Sequence, residues 1–293
     1  MGPEEKAMDD GTTTAHDPRR HESVCPLCNA TAGFLFQHKV LQKHRAAFFH
    51  CPPCDYVFAA DPFWLAEAYR DAALVAVDTD VAVRNIFTAL RLAALYYFAL
   101  PGAARGACLD AAGGYGLLTR LLRDLGFDCY WSDPYAPNLF ARGFEYGTEH
   151  QRCTVVSAVE VLEHTPNPLQ FVRDTLAASG ASYMVFTTEV FPDGHPPAPD
   201  AWGYYSFETG QHISFFSQEG LRRLGLRLGL HYYRLGRLHL YSREKLSDVR
   251  LRVASAKPLV VPLALIAARR LGSKRNRDQA LLLARARQDP GSH

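Results

Sequence analysis

Leu109-Asp110-Ala111-Ala112-Gly113-Gly114-Tyr115-Gly116 decides how this chain is read. An apolar run from Ala107 to Leu109 ends in a carboxylate, a glycine-rich turn follows, and Leu117-Leu118-Thr119-Arg120-Leu121-Leu122 opens an amphipathic segment. That order predicts a buried strand, a tight turn and a helix start. The glycines are free to take positive φ and let the backbone approach a ligand. Seventeen residues after Gly116, a second strand-like run from Phe127 to Trp131 ends at Ser132-Asp133. A carboxylate there can accept both hydroxyls of a ribose, so the pair predicts a nucleoside-containing ligand across the first two strands of an α/β sheet.

Two ligand classes compete. A helix N-terminus that meets a pyrophosphate calls for Gly-x-Gly-x-x-Gly. Here Gly114-Tyr115-Gly116-Leu117-Leu118-Thr119 supplies two glycines and puts Thr119 third. Asp110 would set a negative charge beside a diphosphate, whereas it suits a sulfonium and an α-ammonium. An acidic residue followed by spaced glycines resembles motif I of the class I methyltransferases. The resemblance implies S-adenosylmethionine as cofactor, with Asp110, Ala112, Gly113, Gly114 and Gly116 shaping the methionine side of its pocket and Asp133 on its ribose. A nicotinamide-dependent oxidoreductase and a glycine turn without a ligand are the alternatives.

The stretch Cys153-Thr154-Val155-Val156-Ser157-Ala158-Val159-Glu160-Val161-Leu162-Glu163-His164-Thr165-Pro166 predicts a β-branched strand running into a turn, with a helix from about 169 to 178. It resembles the Glu-Val-Leu-Glu-His signature of the group that includes ubiquinone-pathway O-methyltransferases. That likeness implies Ala158 and Glu160 on the methionine side of the pocket. Glu163 and His164 are expected to cap the helix and fix the loop, with a direct chemical role as the alternative. The adenine-reading acid is Glu145 or Glu149, without a clear register.

Four of the seven cysteines form Cys25-Pro26-Leu27-Cys28 and Cys51-Pro52-Pro53-Cys54, 22 residues apart. Two such turns can present four thiolates to one tetrahedral ion. A full thiolate set leaves no open position, so a structural Zn2+ is expected, with disulfides as the rival. Cys108, Cys129 and Cys153 fall on predicted core strands and read as small buried hydrophobes.

The chain has 293 residues, 48% hydrophobic, enough for a large core. A net charge of +2 argues against a general nucleic-acid binder, although residues from Arg243 onward carry twelve Lys/Arg against four Asp/Glu. The polar start lacks a signal-peptide core, and no run reaches the roughly 20 apolar residues of a membrane helix. With reduced thiols expected, the cytoplasm is the expected compartment. The expected organisation is a disordered 1–21, a zinc-ribbon-like module over 22–60, a catalytic domain over 61–242 and a basic helical tail over 243–293. Asp61-Pro62 should start a helix with Asp61 as N-cap, and a second helix should run from about 81 to 99. Strands at 106–110, 127–132, 143–146, 153–158 and 182–188, then a strand pair within 230–241, predict a doubly wound, Rossmann-like seven-stranded sheet of the methyltransferase type. The tail reads as two helices, about 247–271 and 277–287. They cover the domain or form a homodimer contact, or else rest on an anionic membrane or lipid-linked glycan.

Between the fifth strand and the next helix lies a long insertion, Glu189 to Phe216, rich in aromatic residues, prolines and glycines. Structureless loops of that length are usually functional. Methyl transfer needs a lone pair in line with the S–CH₃ bond, and an alcohol acceptor gains from proton removal. His164, His195 and His212 qualify by location as bases, and His212 is preferred, with Glu189 as a second acid/base candidate. The alternative for His212 is a core histidine bonded to backbone. The cysteine pairs, the central motif and Thr209-Gly210-Gln211-His212-Ile213-Ser214-Phe215 together resemble the zinc-containing nucleotide-sugar C-methyltransferases. Those carry Tyr-x-Glu-His-x-Ser-Tyr/Phe here, so His212 matches their histidine, while Gln211 replaces the glutamate and Thr209 the tyrosine. The family's second α/β domain has no counterpart in the remaining 50 or so residues. The resemblance implies a small-molecule acceptor, a sugar, nucleotide sugar or glycan precursor. Loss of the Gln211 carboxylate favours O- over C-methylation. A catalytically silent zinc-containing adaptor is the non-enzymatic alternative.

Overall fold

A computed structural model describes residues 21–70, 79–147 and 152–288. Most of the expected disordered N-terminus, and Glu149, lie outside the described residues. In chain order the elements are β1 (Glu22–Val24), β2 (Thr31–Val40), β3 (His44–Cys51), β4 (Tyr56–Ala59), α1 (Leu65–Ala68), α2 (Val81–Phe98), β5 (Ala107–Ala111), α3 (Leu117–Asp124), β6 (Asp128–Ser132) and β7 (Cys153–Val159). There follow α4 (Pro168–Ser179), β8 (Tyr183–Thr187), β9 (Val190–Phe191), β10 (Ser214–Ser217), α5 (Gln218–Arg227), β11 (His231–Leu235), β12 (Leu238–Ser242), α6 (Asp248–Ser255), α7 (Lys257–Leu271) and α8 (Arg275–Gln288).

Two sheets form. One has the order β11-β12-β8-β7-β5-β6. Its members β6, β5, β7 and β8 are parallel, β12 runs antiparallel to β8, and the edge strand β11 pairs antiparallel with β12 and so follows the direction of the parallel set. A central parallel strand is covered on both faces and must be apolar throughout. Cys108, Leu109, Val155, Val156, Met184 and Val185 meet that demand and are buried, as are Cys129 and Cys153. Among the described residues the sheet holds six strands rather than seven. The expected strand at 143–146 shrinks to one parallel bridge, Trp131 to Glu145, because Gly143 turns the chain at positive φ just before it.

The second sheet, β1-β2-β3-β4-β10-β9, joins distant parts of the chain. β10, from the aromatic insertion, pairs antiparallel with β4, Phe215 opposite Val57, and β9 runs parallel to β10. The insertion is therefore not a structureless loop. Its Phe215 and Phe216 are fully buried, and Tyr205 and Phe207 pack on Phe48 and Phe36. α5 starts at Ser217, whose hydroxyl accepts the Gly220 N–H. Gly220 lies so close to the second cysteine turn that a Cβ would stand 2.5 Å from the Asp55 carbonyl oxygen.

Two helix expectations change. Asp61 takes φ 51° and its side chain caps nothing; α1 begins only after Trp64, because Asp61 to Trp64 form a separate turn with Phe63 N–H on the Asp61 carbonyl. The tail has three helices instead of two. Pro258, in the first turn of α7, has no N–H to continue α6, and Ala256 is extended, so the axes bend by 91°. Among the described residues no single helix is long and apolar enough to cross a membrane.

The tail is fastened electrostatically. Asp278 on α8, 3% exposed, accepts from Arg123 Nε and Nη2, both at 2.8 Å, and from Arg120 Nη2 at 2.8 Å. These partners hold its carboxyl below the usual aspartate range against the opposing effect of burial. Asp278→Asn leaves the buried Arg123 guanidinium with Asp128, at 3.1 Å, as its remaining carboxylate partner, an effect of about 2 kcal/mol. The urea midpoint should fall accordingly at neutral pH. Because the folded-state value is lowered, this difference should shrink as acid protonates the wild-type carboxyl.

Candidate cofactor and acceptor site

The carboxyl ends of β5 and β7 part around a cavity of about 710 Å³. At both strand ends a non-glycine residue sits in the left-handed region, Ala112 at φ 52° and Glu160 at φ 52°, and both line the cavity. Such strain persists only where surrounding contacts over-determine it, and it concentrates at ligand sites.

Asp110 does not line the cavity. It is 1% exposed beneath the glycine turn, where Oδ2 accepts the Thr119 hydroxyl at 3.0 Å and Oδ1 the Ser157 hydroxyl at 3.1 Å. Burial pushes its carboxyl up to about 7, with the two hydroxyls opposing. A Cβ on Gly113 would lie 2.7 Å from Asp110 Oδ2, so the turn packs onto the carboxylate. Asp110 thus shapes the turn from below. Gly116, at φ 84°, caps α3 and has no room for a side chain against Asn138 and Ala141.

Asp133 does line the cavity. Its Oδ1 accepts the N–H groups of Tyr135 and Ala136 at 2.7 and 2.8 Å, and its Oδ2 that of Gly114 at 2.9 Å. Three of about four carboxylate acceptor positions are filled, leaving Oδ2 one for a ligand hydroxyl. Glu160 is anchored through Thr187, which accepts the Glu160 N–H at 2.8 Å and donates to its Oε1 at 2.5 Å. Ala158 is buried in the core and does not reach the cavity. Glu145 turns away, accepting from Asn138 and the Gly143 N–H. Sequence reasoning missed the aromatic walls: Tyr69 and Tyr135 stack across the opening, centroids 5.4 Å apart and planes 8° apart, while Tyr146 and Phe171 line the cavity elsewhere. Tyr135, two residues past Asp133, was the available signal.

A second cavity, about 470 Å³, is bordered by Thr188, Glu189, Tyr204, Arg91 and Arg237 among others, and Glu160 borders both cavities. Glu189 is exposed to this second space. Gln211 borders the first cavity, its amide donating to the Ala68 carbonyl at 3.0 Å. The Gln211 carbonyl accepts from His164 Nδ1, and the Tyr204 carbonyl from His212 Nδ1 at 2.6 Å. His195 is exposed and remote from these walls.

Neither Glu163 nor His164 caps α4; Asn167 does, accepting the Gln170 N–H. Glu163 is fully buried, and burial, then the Glu160 charge, pushes its carboxyl well above the usual range. The same burial, with the neighbouring His212, lowers His164 to about 3, and burial lowers His212. The Ile213 N–H donates to the Glu163 carbonyl at 2.8 Å, tying the insertion to this turn.

The four cysteine sulfurs lie within 4.8 Å of one another, with Cys25, Cys51 and Cys54 buried. The Cys54 thiol donates to Cys25 and brings it down to about 5, while burial pushes Cys51 up to about 12. Four thiolates in this space need a cation.

A family model described as a methyltransferase domain matches residues 83–235. The chain belongs to this methyltransferase family. The match runs from α2 to the end of β11 and leaves the cysteine turns and the tail outside. No curated protein matches. Similar solved structures include TnmH, 18% identical over 61% of each chain with a TM-score of 0.44. CalO1, a methyltransferase in calicheamicin biosynthesis in an SAH-bound form, is 15% identical over 61% of each chain with a TM-score of 0.42. Magnesium protoporphyrin IX methyltransferase (ChlM) from Synechocystis PCC 6803, with bound SAM, is 17% identical over 63% of this chain and 90% of its own, TM-score 0.37. The chain spans 61% of the length of the first two.

The raised Asp110 value carries a testable sign. Its stabilising contribution is fully present below the unfolded value near 3.8 and is lost as pH rises through about 7. Asp110→Asn should flatten the decline in unfolding free energy between pH 4 and 8, measured by urea titration at each pH.

Proposed function

We propose that this family member transfers a methyl group from S-adenosylmethionine to a small hydroxyl-bearing acceptor. One observation carries the reading: Glu160 borders two adjoining cavities, one rimmed by the Asp133 carboxylate and one by Glu189. The adenosyl ribose lies at Asp133, and the methionine end lies between Ala112 and Glu160. The acceptor enters the second cavity, where an attacking oxygen can approach the methyl group from behind the S–CH₃ bond. The O–CH₃ bond forms as the S–CH₃ bond breaks, the sulfur keeps the bonding electrons, and the hydroxyl proton passes to Glu189.

Glu189 is preferred over His212 as that proton acceptor because it faces the acceptor space directly. His212 lies behind the Tyr204 wall of that space, and Gln211 borders the cofactor cavity. The mixed arginine, carboxylate and threonine lining suits a sugar or nucleotide sugar, which offers hydroxyls to each. O-methylation is favoured over C-methylation because Gln211 stands where a carboxylate would serve a carbon acid. An adaptor would need neither cavity.

Calorimetry with S-adenosylhomocysteine tests the cofactor assignment. Wild type should bind, and Asp133→Ala should weaken binding about tenfold or more, the loss of a charge-assisted hydrogen bond and its loop support. Absence of binding to wild type removes the proposal. With sugar nucleotides as acceptors, Glu189→Gln should keep cofactor affinity and lose about 10²-fold in turnover.

We further propose that Cys25, Cys28, Cys51 and Cys54 hold a structural Zn2+ as thiolates, in a reducing compartment such as the cytoplasm. Four sulfurs leave that ion no position for substrate. Cys51→Ser should lower the thermal midpoint and leave the protein one equivalent of zinc short of wild type; an unchanged midpoint and an unchanged zinc content would contradict the assignment.

A further inference from the structure

Among the described residues, one group besides the four cysteines brings three metal-binding side chains together: Glu163, His164 and His212. One Glu163 oxygen and one nitrogen of each imidazole lie within 4.8 Å of one another. Glu163 is 0% exposed, and neither of its oxygens has a hydrogen-bond partner. The Tyr204 and Thr188 hydroxyls lie beside it and bond each other at 3.2 Å. A buried carboxylate left in that state is costly, and an ion is one of the few things that repays it.

The imidazoles are prepared for the same role. Each is held at Nδ1 by a backbone carbonyl, His164 by Gln211 at 3.1 Å and His212 by Tyr204 at 2.6 Å. The ring N–H groups point at those carbonyls, so the lone pairs remain on Nε2. Metal-ligating histidines are oriented in this way, with the second nitrogen donating to a carbonyl or carboxylate. The rings meet edge to face, centroids 4.8 Å apart. Helix capping does not call for this arrangement, since Asn167 caps the following helix.

We propose that Glu163, His164 and His212 bind a divalent first-row transition ion, and that Zn2+ suits these two nitrogens and one oxygen. Three protein ligands leave a position open. His164 borders the cofactor cavity, and Tyr204, against which the His212 ring packs, borders the acceptor cavity. The open position therefore takes an acceptor oxygen. The bound ion lowers the hydroxyl pKa, so the proton leaves to Glu189 before or as the methyl group arrives. That catalytic use rests on the methyl-transfer reading, whereas binding of the ion does not.

Titration of the metal-free, reduced full-length protein with Co2+ tests it without any cofactor. Wild type should take up two equivalents. One gives the intense near-ultraviolet thiolate charge-transfer band of a cysteine site, and the other gives only weak visible bands of nitrogen and oxygen ligation. Glu163→Gln and His212→Ala should each weaken the second equivalent 30-fold or more and leave the thiolate band unchanged, which also reports that the chain remains folded. The proposal is overturned if wild type binds no equivalent lacking the thiolate band, or if both variants bind it as tightly as wild type. Failure to bind S-adenosylhomocysteine with the second equivalent intact would instead sink the methyl-transfer reading alone.

Discussion

The pairing of Ser214–Ser217 with Tyr56–Ala59 is the constraint on which the rest of the site depends. It welds a segment lying after β8, the last of the four parallel strands, to a sheet built from the N-terminal residues. Residues immediately before that strand have no freedom left. Ile213 donates to the Glu163 carbonyl and its own carbonyl accepts from Ala59, while Gln211 donates to Ala68. This segment is thus tied at once to β4, to the turn after β7 and to α1. A site made this way is positioned by strands rather than by loop ends, which is the precision that in-line transfer needs.

The cysteine turns have a role in that arrangement beyond their own stability. The second turn, Cys51 to Cys54, ends β3 and leads directly into β4. Asp55 next to it accepts the Gly194 N–H and bonds His50, and its carbonyl abuts Gly220 at the start of α5. Arg223 of the same helix donates to the Pro52 and Pro53 carbonyls. The proposed ion, by holding the turns together, would also fix the register in which β10 adds.

What was legible in the sequence follows a clear division. Periodicity and glycine placement revealed β5, α3 and β6 within a residue or two, because a two-sided parallel strand and a tight turn constrain residue types directly. The cysteine spacing located the four sulfurs for the same reason. Depth was not legible. Asp110 occupies the motif position of a ligand contact, yet Thr119 and Ser157 draw it under the turn. Glu163 looked like a capping residue, since nothing local tells that Ile213, fifty residues on, will press against its backbone and seal its carboxyl away. β10 was read as loop because its partner strand lies more than 150 residues earlier, and no local pattern records a long-range pairing.

Electrostatics explain how an acidic crevice can hold a sulfonium without arresting it. A full carboxylate charge about 6 Å from the sulfur, at an effective dielectric constant near 20, stabilises the cation by about 3 kcal/mol. That cation loses its charge as the methyl group leaves, so such stabilisation favours reactant over transition state and slows the chemistry. Each acid at this site is muted. Asp110 is shifted to about 7 by burial, and Glu163 well above the normal carboxylate range. Three N–H groups occupy Asp133, which in the proposed complex sits at the ribose rather than the sulfur. Glu160, which borders both cavities, accepts from the Thr187 hydroxyl at 2.5 Å, so one of its oxygens is already engaged. In the proposed complex, carboxylates engaged in this way favour the charged cofactor over its neutral thioether product and still let the methyl group go.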